Sequence, residues 1–217
     1  MNNNIEWILD KNPVKFEEAA AFMEDRVAKI ALQQASQAIW LTEHFPVYTA
    51  GISAVDSDLL NVGEIPVIKT NRGGKYTYHC PGMQIAYVML DLKQFFAPNA
   101  PDVAKFVEFL ENWIINFLKK LSVRAFIRKG RVGIWVLHNG EEKKIGAIGI
   151  KLKKWISYHG IAININPDLA GFDNIIPCGI KEFGVTSLAE LGIDINQDFT
   201  TTLQKAFDET TLKWPKS

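Results

Sequence analysis

Apolar residues recur at helical spacing in three stretches of this chain. After Asn12-Pro13, residues Phe16, Ala19, Ala20, Met23, Val27, Ile30 and Ala31 form one stripe and predict a first helix, with Pro13 in its first turn. A second helix is predicted from Pro101-Asp102 onward. Its apolar face carries Val103, Phe106, Val107, Leu110, Ile114, Phe117, Leu118 and Leu121. A third amphipathic stretch runs over about residues 199–212. Between the helices the runs are shorter and richer in β-branched residues. "AIWLTEH" predicts a strand, and "PVYTAG" a strand end that passes into a loop. Residues 65–69 and 84–90 predict two strands joined by a Gly-rich connection. "VRAFIRK", "RVGIWVLH", "KIGAIGIKL" and "ISYHGIAININ" follow as a β-rich block, with the Asn-Gly pair of "HNGEE" as a hairpin turn. Strands outnumber helices, which come early, middle and late. That order predicts an α+β fold with a mixed, largely antiparallel sheet. No repeat, low-complexity run or linker interrupts the chain, so residues 1–217 read as one domain.

Composition narrows the function classes. With 24 Lys+Arg against 24 Asp+Glu, the chain has no net charge, which gives no support to nucleic-acid binding by phosphate neutralisation. Its two cysteines do not make a disulfide framework and favour a reducing compartment. The first residues, "MNNNIEWILDKNPVKFEEAA", hold no apolar run long enough for a signal peptide or a membrane span. The expectation is a cytoplasmic protein that does not bind membranes.

Four places carry candidate chemistry. The histidines His44, His79, His138 and His159 form no close pair at ligand spacing, so no metal site is expected. "TNRGGKYTYHCPG" allows a ligand close to backbone N–H groups, but it has neither P-loop nor dinucleotide spacing and also suits an ordinary strand connection. Lys144 leads into the small, apolar run "IGAIGI". A lysine in apolar surroundings loses hydration, which favours its neutral, basic form, yet Lys144 also continues the solvated "EEKK" turn. Cys178, in "IIPCGI", stands between Pro177 and Gly179. Read alone it is either a buried small side chain or a nucleophile presented on a turn.

Taken together and in order, "RGGKYTYHCPG", "KIGAIGIKLKKWISYHGIAININPDLAGFDNIIPCGI" and "VTSL" resemble the lipoyl(octanoyl) transferase family. The likeness extends from about residue 46 to residue 191. It implies the catalytic-domain fold shared with biotin and lipoate protein ligases, a mixed sheet flanked by helices. It also implies transfer of an octanoyl or lipoyl group from the phosphopantetheine of acyl carrier protein to a lysine ε-amine. The acceptors would be lipoyl domains of 2-oxoacid dehydrogenases and the glycine cleavage H protein, with no separate cofactor. By resemblance, Cys178 is the nucleophile that carries the acyl thioester, and Lys144 is the general acid/base that lowers the cysteine's pKa. The implied substrate pocket is Arg72, Gly73, Gly74, Lys75, Tyr76, Thr77, Tyr78 and His79, then Ala147, Ile148 and Gly149, then His159, Gly160, Ile161 and Ala162. The small residues Gly146, Ala147, Gly149, Gly160 and Ala162 are expected to leave a slot beside the thiol. The chain departs from the family pattern at Cys80 (usually glycine), Met83 (usually glutamine) and Gly146 (usually alanine). Arg128, Lys129, Arg131, Lys151, Lys153 and Lys154 are expected to contribute to docking of acidic protein substrates. Two alternatives are an ATP-dependent lipoate or biotin protein ligase of the same fold and a non-catalytic acyl- or lipoyl-domain-binding module. The first lacks its "GRGRxG"-type loop here, and the second would need neither Cys178 nor Lys144.

Overall fold

A computed structural model describes residues 5–176 and 183–214. The strands, in chain order, are β1 (Glu6–Leu9), β2 (Ala38–Thr42), β3 (Val47–Ala50), β4 (Val67–Lys69), β5 (Tyr76–His79), β6 (Met83–Met89), β7 (Ala125–Arg128), β8 (Arg131–His138), β9 (Glu141–Lys153) and β10 (Ile156–Asn164). The helices are α1 (Phe16–Ala31), the one-turn α2 (Leu92–Phe95), α3 (Val103–Lys120) and α4 (Phe199–Lys213).

The three long helices fall where the apolar spacing predicts them. Pro13 lies just upstream of α1 rather than in its first turn, because Val14 forms a bridge to His44 and Lys15, still extended, occupies the position before the helix. Asp102 caps α3 by accepting from the Lys105 amide, and Asp198 caps α4 in the same way from Thr201.

Seven strands form one sheet in the order β1-β2-β6-β10-β9-β8-β7, and β4-β3-β5 form a second, smaller one. Among the described strands, β1–β2 and β3–β4 pair in parallel and the other pairs are antiparallel. Each large-sheet face buries its own core. On one side, α3 and α4 bring Phe106, Phe109, Trp113, Phe117, Leu203 and Phe207 against Ile39, Val88, Ile134, Ile161 and Ile163. On the other, α1 brings Ala19, Met23, Val27 and Ile30 against Trp40, Ile85, Tyr87, Met89 and Tyr158, and the small sheet closes the layer with Tyr48, Tyr76 and Tyr78. The α+β class with helices on both faces of a mixed sheet is therefore as expected. The residues 70–82, read as a connection, instead contain a strand, β5, paired with β3.

Two hairpins set up the site. The β8–β9 turn puts Asn139 and Gly140 at φ 53° and 83°, the left-handed pair of a type I′ turn. The β9–β10 turn does the same with Lys154 and Trp155, at φ 53° and 67°. Along β9–β10–β6 the register then lines up Ala147, Ala162 and Ile85 in one row, and Gly149, Gly160 and Tyr87 in the next.

Candidate active site

A cavity of about 440 Å³ lies over these rows. Its floor is β9 from Gly146 to Ile150 together with His159 to Ala162 of β10. Ile85 and Tyr87 of β6 extend the floor, Phe16 of α1 and Phe172 close over it, and residues 72–77 form a wall.

Arg72 builds that wall. It is buried, and its guanidinium donates to the Thr49 carbonyl (2.6 Å), the Thr49 hydroxyl (2.8 and 3.1 Å), the Gly73 carbonyl (2.9 Å) and the Lys75 carbonyl (2.8 Å). Lysine, with three donors on one nitrogen, could not reach this spread of acceptors. The folded loop then donates from the Gly73 amide to the Ile150 carbonyl at 3.0 Å, which docks it on the edge of β9. Lys75 is held by Asp58 at 2.9 Å.

Lys144 enters from another side. It is 8% exposed and lines the cavity. Beyond Gly146, β10 no longer pairs with β9, and the segment after Phe183 takes its place. The Lys144 amide donates to the Gly184 carbonyl, and the Thr186 amide donates to the Lys144 carbonyl, both at 2.9 Å. Asn164 of β10 ties the same segment down through the Thr186 carbonyl (2.9 Å). The Phe183 ring lies 4.0 Å from the Arg131 guanidinium and packs edge-on against Trp135. Cys178 lies outside the described residues; the described chain leaves at Ile176, whose amide donates to the Asp58 carbonyl, and resumes at Phe183.

Three histidines gather at the α1 side. His44 meets the Val14 carbonyl through Nδ1 and the Tyr87 hydroxyl through Nε2. Its Nδ1 therefore carries the hydrogen, and Nε2 accepts from Tyr87. His79 lines the cavity with its Nδ1 buried and, among the described residues, without a hydrogen-bond partner. His159 has φ 56°, which breaks the strand alternation and stacks its ring on Tyr158 and Phe16. Burial pushes all three below the usual histidine range, His159 to about 4, with the nearby Arg72 cation adding to the effect on His79 and His159. All three are neutral at pH 7. Burial raises the Cys80 thiol, which sits in the core beside Tyr78. Among the described residues no group of three His, Cys, Asp or Glu side chains is placed to hold a metal ion.

Of the residues singled out from the sequence, Arg72 to Thr77, His79, Ala147 to Gly149, His159 to Ala162 and Lys144 line this one cavity. Tyr78 does not; its ring packs against Tyr48 and Phe172. Gly146, Ala147, Gly149, Gly160 and Ala162 all line the cavity, and two of the glycines also make room for backbone. A side chain on Gly160 would overlap the Ala86 carbonyl, so that glycine admits the β6 backbone. A Cβ on Gly149 would lie 3.1 Å from the Gly73 carbonyl, so that glycine admits the docked loop. Sequence reasoning missed Phe16, Val107, Val132, Phe172 and Val185, which reach the cavity only through tertiary packing.

The docking cations are largely engaged. Arg128 and Arg131 both pair with Glu142, Lys153 pairs with Glu24, and Lys151 lies over the Tyr158 ring.

The description "Lipoyl protein ligase A/B catalytic domain" fits residues 15–208 of this chain. The octanoyltransferase of Ehrlichia ruminantium (strain Gardel) is 48% identical over 206 residues, 94% of this chain and 98% of that protein. The octanoyltransferase of Maricaulis maris is 49% identical over 210 residues, 95% of this chain and 91% of that protein. Among solved structures, the bipartite lipoate protein ligase of Thermoplasma acidophilum superposes with a TM-score of 0.70 at 15% identity, covering 95% of this chain and 84% of that one, a likeness of fold. A family match over most of its length and relatives at nearly half identity place the chain in the lipoyl protein ligase A/B catalytic-domain family, among its octanoyltransferases.

Proposed function

We propose that this protein transfers an octanoyl, or lipoyl, group from the phosphopantetheine thioester of acyl carrier protein to the ε-amine of a lysine on lipoyl domains, through a thioester on Cys178. The observation that carries the reading is the cavity with Lys144 on its wall. It combines an apolar floor for an acyl chain with the basic side chain of Lys144, in a chain whose relatives are octanoyltransferases. Burying the methylenes of an eight-carbon chain contributes about 5 kcal/mol, at ~0.8 kcal/mol each.

The chemistry follows from the two groups. A cysteine of ordinary pKa is only a few per cent thiolate at neutral pH. Neutral Lys144 takes the Cys178 proton, and the thiolate attacks the thioester carbonyl. The C–S bond to pantetheine breaks as the new C–S bond forms, and the Lys144 ammonium returns the proton to the departing thiolate. In the second half, neutral Lys144 accepts a proton as the acceptor amine attacks the acyl-enzyme. The amide forms, and the Cys178 sulfur leaves and is reprotonated. One residue alternating between acid and base fits a ping-pong transfer. Octanoyl transfer from octanoyl carrier protein to an apo lipoyl domain is expected without ATP. Transfer only from free octanoate plus ATP would assign the protein to the ligases instead.

A further inference from the structure

Proton transfer at a fixed point needs the ammonium held at one place, and a lysine arm with four rotatable bonds does not hold itself. Gly133 of β8 provides the constraint. Its φ is 121°, a conformation that L side chains rarely adopt. An added Cβ there would lie 2.7 Å from the Gly146 carbonyl oxygen, 3.0 Å from Lys144 Nζ and closer still to Lys144 Cε. The lysine arm therefore runs across the bare backbone of Gly133. The ladder prepares this crossing. Ile134 pairs with Gly146 and Trp135 with Lys144, so Ile145 is an extra, bulged residue. The next β8 side chains, Ile134 and Trp135, are buried, so Gly133 is the β8 position at which the arm meets bare backbone.

We propose that Gly133 is a positioning residue for acyl transfer: its missing side chain is the channel that carries the Lys144 ammonium to the cavity wall. The inference rests on Lys144 acting as the proton carrier. It is tested on four full-length proteins: wild type, Gly133→Ala, Lys144→Ala and the double variant. In each, the rate of Cys178 alkylation by iodoacetamide is followed against pH by peptide mapping, beside the rate of octanoyl transfer. Lys144→Ala is expected to move the alkylation profile to higher pH. Gly133→Ala should move it the same way and slow transfer by about 100-fold, the scale of a small misplacement. In its alkylation profile the double variant should match Lys144→Ala, since the glycine bears on Cys178 only through the lysine. A Gly133→Ala profile that stays at the wild-type position while Lys144→Ala shifts overturns the proposal and leaves the Lys144 reading intact. An unshifted Lys144→Ala profile overturns both. Should Gly133→Ala alone not fold, the double variant decides. Recovery of folded protein without the lysine arm supports the proposal; equal loss in both backgrounds means that φ and the Gly146 carbonyl alone demand the glycine, and overturns the assignment of its missing side chain to the lysine.

Discussion

His159 shows how much one backbone angle decides at the residue scale. At φ 56° the ring joins Phe16, Tyr158 and Tyr87 on the α1 face, and its amide meets Met23 Sδ at 3.3 Å. There burial lowers its pKa from 6.5 to about 4. The unfolded chain therefore binds a proton below pH 6.5 that the folded chain refuses. The stability from this neutral residue is complete above pH 6.5 and is lost as the pH falls toward 4, on the order of 3 kcal/mol in full. His44 and His79, shifted the same way, steepen the loss. Urea midpoints should fall between pH 7 and pH 5. In His159→Asn, which tolerates the left-handed conformation, the fall should be smaller. An equal fall in both proteins would show that His159 does not contribute.

At the scale of elements, β10 is fitted to its two neighbours by different means. Gly160 has the Ala86 carbonyl where a side chain would stand, whereas a Cβ on Gly146 would meet Ala162 and Ile134 at an ordinary 3.4 Å. Gly160→Ala should cost several kcal/mol and lower the melting temperature sharply. Gly146→Ala should change the stability by less than about 1 kcal/mol and leave the melting temperature near that of the wild type. Similar melting temperatures for the two would refute that assignment. The same contrast marks how far the sequence could be read. Periodicity exposes α1, α3 and α4, because each buries a continuous stripe, and Asn139-Gly140 announces its hairpin. β1 and β5 are four residues each, and β5 follows a Gly-rich run, so neither leaves a pattern of its own. The Lys154-Trp155 turn uses left-handed geometry without glycine or asparagine and is invisible to turn chemistry.

For the molecule as a whole, the ordered motifs made most of the cavity readable, but not what joins it together. Phe16 and Val107 arrive from helices distant in sequence, and Arg72 ties its loop to β3 through the Thr49 hydroxyl and the Thr49, Gly73 and Lys75 carbonyls. Charge complementarity with protein substrates also narrows at this scale. Among the described residues, Lys129 and Lys154 form no ion pair, while Arg128, Arg131 and Lys153 each hold a glutamate. Charge reversal at Lys129 and Lys154 should raise the KM for acyl carrier protein with little change in kcat, and an unchanged KM would remove them from the docking surface. The central claim concerns the route of the acyl group itself. The most direct measurement is the intact mass of the protein after rapid mixing with octanoyl carrier protein and quenching in acid. One octanoyl adduct is predicted on the wild type and none on Cys178→Ala; a fully active wild type that never carries the adduct, or an adduct that survives Cys178→Ala, would contradict the account.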